Sequence, residues 1–73
     1  MNHKIDLHGL SHKEAVTKAE NFLIDASLEN IYMDCVLITG KSASMKSIII
    51  DEVLKPHNFY FYENEGTIKV SSF

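Results

Sequence analysis

Seventy-three residues leave room for one domain, because a second core would be too small to bury the apolar surface that offsets chain entropy. With 45% hydrophobic and 23% charged residues, the composition is that of a globular chain and excludes a disordered one. Seven basic residues against ten acidic ones give a net charge of -3, which excludes a whole-molecule positive field drawing the protein onto nucleic acid or an anionic membrane; any anion site must be local.

From Lys4 to His8 polar and apolar residues alternate, with Ile5 and Leu7 on one side, which predicts a half-buried strand ended by Gly9. Ser11-His12-Lys13-Glu14 is a capping box: the Ser11 hydroxyl can accept from the Glu14 amide while the Glu14 carboxylate reaches back. The helix it starts uses Ala15, Ala19, Phe22, Leu23 and Ala26 as its inner stripe and runs to about Glu29, with Asn30 as its stop. Cys35 to Ile38 is an apolar run of strand length, read as a buried parallel strand, and Gly40-Lys41-Ser42 turns the chain.

A second helix is expected from Ser44, with Met45, Ile48, Ile49, Val53 and Leu54 inward and Ile50 off the stripe, until Pro56 stops it. Phe59 to Tyr62 and Thr67 to Ser71 are strands joined by a loop over Glu63-Asn64-Glu65-Gly66. The order β-α-β-α-β-β implies right-handed crossovers, hence a two-layer α/β sandwich with a mixed four-stranded sheet and both helices on one face. Residues 1–73 form this single domain, without repeat or linker.

A lone Cys35 fits a reducing compartment, so a cytoplasmic location and a core thiol are expected. The N-terminus lacks the apolar stretch of a signal peptide and no run is long enough to span a bilayer, so no membrane partner is expected.

In parallel strand-helix units, strand carboxyl ends and helix amino ends share one sheet edge, where an oxyanion is the natural guest. Here that edge collects Asp6-Leu7-His8-Gly9 and Ile38-Thr39-Gly40-Lys41-Ser42. Alternation puts Asp6 and His8 on one side. An imidazole, with an unperturbed pKa of about 6.5, can exchange a proton near neutrality while a carboxylate holds its tautomer. Every basic residue is a lysine, so phosphate contacts fall to Lys41 and Lys46, helped by Lys13, and to backbone amides.

Other signals are weaker. Gly40-Lys41-Ser42 lacks the glycine five residues upstream that a nucleotide-triphosphate loop requires; Cys35 stands there. His3, His8, His12 and His57 lack the spacing of a metal site, so no metal is assigned. Tyr60 and Tyr62 could stack bases on an open sheet face, but hairpin aromatics more often pack, and packing is the expectation. Ser42, Ser44 and Ser47 read as caps and turn formers.

Ile5-Asp6-Leu7-His8-Gly9-Leu10 followed by a helix resembles the opening LDLHGL motif of the small MutS-related (Smr) domain family, and Thr39-Gly40-Lys41-Ser42 sits where that family has HGxG. Ile50, Glu52 and Leu54 resemble the pattern of its second helix and Gly66-Thr67-Ile68-Lys69-Val70 its closing strand, so the resemblance covers essentially the whole chain. It implies a β-α-β-α-β-β fold similar to the C-terminal domain of a bacterial translation initiation factor. It also implies RNA or DNA as partner, with DNA nicking or RNA cleavage, including messenger RNA at stalled or collided ribosomes. Carried over by position, Asp6 and His8 are the catalytic pair and Gly40 and Lys41 the phosphate-facing loop; Gly9, Lys13, Thr39, Ser42 and Lys46, from the reading of the sheet edge, complete the candidate phosphate-binding set. The chain departs from the family where Thr39 replaces the second-motif His, Ser42 and Ser44 replace glycines and Lys46 replaces Leu.

Three functions are therefore in play. One is an endonuclease acting through Asp6 and His8, needing no cofactor on RNA but a water nucleophile and a divalent metal held by Asp6 on DNA. The second is a non-catalytic phosphate-binding module. The third is a protein-interaction domain anchored by Tyr60 or Phe61 on the open sheet face.

Overall fold

The computed structural model describes residues 2–29 and 34–71, so Asn30 as a helix stop lies outside the described residues. Strand β1 (Asn2–Asp6) leads to helix α1 (His12–Glu29), then β2 (Asp34–Ile38) and α2 (Ala43–Ile49), which continues as one π-helical turn (Ile50–Leu54). Strands β3 (Tyr60–Asn64) and β4 (Thr67–Ser71) complete a four-stranded sheet ordered β1-β2-β4-β3. The β1–β2 pair is parallel and the other two are antiparallel, giving the two-layer α/β sandwich with the expected element order.

Alternation along the strands decides which face is covered. Cys35 and Leu37 of β2 and Ile68 and Val70 of β4 point to the helices and are fully or almost fully buried. They join Ala15, Ala19, Leu23 and Ala26 of α1 and Met45, Ile49, Val53 and Leu54 of the second helical segment in one core. Small side chains at positions 15, 19 and 26 let α1 lie close to its neighbours, and Leu23 fills the space between. Burial, reinforced by the charge of Asp34, pushes the Cys35 thiol up, as suits an unreactive core residue. No helix among the described residues is long and apolar enough to cross a membrane.

The capping box forms as predicted. Glu14 N–H donates to Ser11 Oγ at 3.2 Å, while Glu14 Oε1 accepts from Ser11 N–H at 3.3 Å and from the Ser11 hydroxyl at 2.9 Å. These bonds hold the Glu14 carboxyl below its ordinary range and supply the α1 cap, a feature worth about 1 kcal/mol.

Four local features differ from expectation. Strand β1 ends at Asp6 rather than His8, because the Asp6 carboxylate accepts the His8 backbone N–H at 3.0 Å and closes a side-chain turn. Ile50 is buried rather than off the stripe. Pro56 has no amide to continue the α-helical ladder, and Lys55 N–H instead reaches the Ile50 carbonyl at 2.9 Å. That wider turn carries Ile50, Val53 and Leu54 inward together.

The β3–β4 loop is two residues, Glu65 and Gly66, with Asn64 paired to Thr67, because Gly66 supplies the left-handed conformation (φ 79°) that so tight a reversal needs. Finally, Tyr60 and Tyr62 are not packed. They stand 63% and 68% exposed, since β3 is an edge strand and its Tyr-bearing side faces away from the helices.

Candidate functional site

The chain reversals after β1 and β2 are neighbours. Leu7 N–H donates to the Ile38 carbonyl at 2.7 Å, extending the parallel pairing past the end of β1. A Cβ at Gly40 would lie 3.6 Å from the His8 Cβ, so the two loops touch through these residues. Gly9 and Gly40 both have left-handed backbones (φ 79° and 70°), which lets each strand turn sharply into the next segment.

Asp6 organises the first loop. Its Oδ1 accepts from the His8 backbone N–H and is also hydrogen-bonded to His8 Nδ1. With the carboxylate as acceptor, Nδ1 carries the proton and Nε2 is left to act on a ligand. These hydrogen bonds hold the Asp6 carboxyl below its ordinary range. The His8 side chain is 67% exposed, open to a substrate rather than buried beneath apolar atoms.

The second loop is pinned from the far side of the sheet. The Gly66 carbonyl accepts from Thr39 N–H at 2.9 Å and Gly40 N–H at 3.1 Å. Those two amides are thus committed to the hairpin. Thr39, buried and facing the core like Cys35 and Leu37, donates its hydroxyl to the Gly40 carbonyl at 3.0 Å. Ser42 caps α2, its Oγ accepting from Met45 N–H at 3.1 Å and sharing a hydrogen bond with Ser44 Oγ.

The lysines divide by position. Lys41 is exposed in the second loop and pairs with Glu65 at 3.3 Å; a surface pair of this kind is worth roughly 0–1 kcal/mol. Lys46 is half-buried and donates to the Asn64 carbonyl at 2.6 Å, bracing the hairpin. Lys13 lies in the first turn of α1, in a groove with Glu14, Thr17 and Lys18. The structure therefore brings together Asp6, His8, Thr39, Gly40 and Lys41, with Gly9 at the adjoining turn, while Ser42 and Lys46 make structural contacts beside them.

Sequence reasoning missed Gly66 and Glu65, which hold the second loop and its lysine. The only signal was the glycine in a tight turn, and its meaning depends on β4 lying next to β2. The amino end of α1 is also less open to an anion than expected, because the Glu14 carboxylate already stands there.

No all-protein metal centre is built among the described residues. Asp6 commits one oxygen to His8, and among the described residues no three His, Cys, Asp or Glu side chains converge to hold an ion. His57 pairs with Glu20 of α1 at 2.9 Å, and His3 packs edge-on against Phe22.

No protein-family model matches the sequence, and no curated protein does. Among solved structures, the chain is similar to a crystal structure of the human small-MutS related domain, with a TM-score of 0.74 and 29% sequence identity. The similarity covers 93% of this chain and 97% of that one.

Proposed function

We propose that this chain, a small MutS-related domain in fold, grips the phosphate backbone of RNA between its two touching loops and cleaves it with His8. The observation that carries this reading is an exposed imidazole, oriented by Asp6, standing against the Gly40–Lys41 loop. His8 Nε2 takes the proton of a ribose 2′-hydroxyl, and the freed oxygen attacks the adjacent phosphorus. The 5′-oxygen of the next nucleotide leaves and takes a proton from water, and the hydroxide so formed recovers the proton held on His8 Nε2, so the products are a 2′,3′-cyclic phosphate and a 5′-hydroxyl. Asp6 holds the ring and stabilises its cation, while Lys41, released from Glu65, offsets charge building on the phosphoryl oxygens. RNA is favoured over DNA because its own hydroxyl is the nucleophile that His8 Nε2 serves, whereas DNA needs a separate water.

Binding is tested by fluorescence anisotropy with a labelled RNA across a range of salt. Affinity is expected to fall as salt rises, and Lys41→Ala should flatten the log–log slope by about 0.7, the share of one phosphate contact on a single strand. An unchanged slope in Lys41→Ala would remove Lys41 from the site. RNA binding without any cleavage would leave a phosphate-binding module in place of the enzyme.

A further inference from the structure

The sheet face turned away from the helices is continuous with the Asp6–His8 site. Register puts Lys4, Val36, Lys69 and Tyr62 in one row across all four strands, and Asp6, Ile38, Thr67 and Asn64 in the next. Tyr60 lies on the same side of β3, two residues and about 7 Å from Tyr62. Asp34, Tyr60, Tyr62, Lys69 and Ser71 help line a shallow hollow of about 260 Å³.

Two properties of this face point to one kind of occupant. Its tyrosines present broad aromatic surface to water, and among the described residues neither makes a ring contact. Among the described residues its lysines, Lys4 and Lys69, pair with no carboxylate, in contrast to Lys41 and Lys55. Among the described residues the carboxylates on the same face are Asp6, bonded to His8, and Asp34, which lines the hollow beside Ser71 at the end away from His8, so a strand's phosphates run on the Lys69–Lys4 side. Aromatic rings with unpaired cations between them and a phosphate site suit a polyanion with exposed flat groups. A duplex keeps its base faces stacked inside and cannot lay them on a tyrosine; a single strand can.

We propose that this face is a platform for single-stranded RNA. Unpaired bases stack on Tyr62 and Tyr60, and the linking phosphates pass Lys69 and Lys4 on the way to His8. This rests on the RNA reading of the Asp6–His8 site and adds the substrate class, unpaired rather than duplex. Three strand spacings and one step along the strand separate Asp6 from Tyr62, about 16 Å, a span of a few nucleotides and within the ~4–16-nucleotide footprint of comparable single-strand binders.

The test compares a labelled single-stranded oligouridine, an RNA hairpin duplex and single-stranded DNA of the same length against wild type, Tyr62→Ala, Tyr60→Ala, Tyr62→Phe and Lys41→Ala. Single-stranded RNA is expected to bind most tightly. Tyr62→Ala should weaken it on the order of tenfold, and Tyr62→Phe, which keeps the ring, should restore it. Because the chain has no tryptophan, its tyrosine emission should be quenched on binding, and less so in Tyr62→Ala.

Equal affinity of Tyr62→Ala and wild type, with binding still weakened in Lys41→Ala, would overturn the platform and leave the phosphate site standing. Failure of wild type to bind any of the three nucleic acids would overturn both. Sedimentation showing a dimer in wild type but a monomer in Tyr62→Ala, without RNA, would give the face to a second copy of the chain and overturn the platform.

Discussion

His8→Ala is expected to slow cleavage of RNA by a factor on the order of 10²–10⁴, the usual contribution of a positioned general base. Affinity for the same RNA should change by no more than a few-fold, because the proposed binding mode draws its affinity from Lys41 and the exposed sheet face. The fold should be untouched, since the ring is exposed and its polar partner is Asp6. Single-turnover cleavage of an end-labelled RNA, with anisotropy run on the same samples, separates the two effects. Cleavage that persists in His8→Ala would remove the imidazole from the mechanism. Asp6→Asn should fall between the two, because an amide oxygen can still accept from the ring but no longer stabilises its cation.

The sign of the Asp6 effect with pH follows from its depressed pKa. A carboxylate held below its ordinary range by the His8 hydrogen bonds is ionised throughout the neutral range. Whatever it adds to folding is complete above the unfolded pKa and is lost only as pH falls through the lower folded value. Any loss of activity between pH 7 and pH 5 therefore does not come from protonation of Asp6.

The largest structural effect is expected from Leu37→Ala. Leu37 is fully buried in β2, with Ile5 beside it on β1 and Ile68 on β4. Removing a buried leucine side chain costs about 2–5 kcal/mol, from the transfer of the lost methyl groups and the cavity they leave. A domain of this length has a total stability of roughly 4–11 kcal/mol, so the variant should unfold at a urea midpoint far below wild type. A loss smaller than about 1 kcal/mol would mean that β2 is not central. The site should suffer as well, because the end of this strand carries Thr39 and Gly40 into contact with Gly66 and His8. Tyr62→Ala is the natural control, since an exposed side chain removed from an edge strand should move stability by only a few tenths of a kcal/mol.

What could be seen in the sequence was whatever depends on near neighbours along the chain. Ser11 and Glu14 are three residues apart, and their reciprocal bonds are a local matter. The same holds for Asp6 and His8, whose spacing of two puts them on one side of a strand and within reach of each other. The element order followed from hydrophobic period, and the family resemblance in Ile5 to Leu10 pointed to the same fold.

What was not legible depends on register and on edges. Lys46 is a plausible phosphate ligand by type, yet it is drawn to the Asn64 carbonyl eighteen residues on, a contact set by how the hairpin docks. The burial of Ile50 required one hydrogen bond to shift by a residue ahead of Pro56. The tyrosines were expected inside because aromatic residues usually are, but whether a strand lies at the edge is decided by sheet order, which no local pattern in β3 reveals.

In the proposed complex the loops after β1 and β2 together hold a phosphate of RNA. Titration of ¹⁵N-labelled protein with a 2′-O-methyl oligonucleotide, which binds without being cut, tests it amide by amide. The largest shifts are expected on Asp6 to Gly9 and on Thr39 to Lys41, moving together along one binding curve. Shifts confined to the exposed side of α1, with both loops silent at saturation, would contradict it.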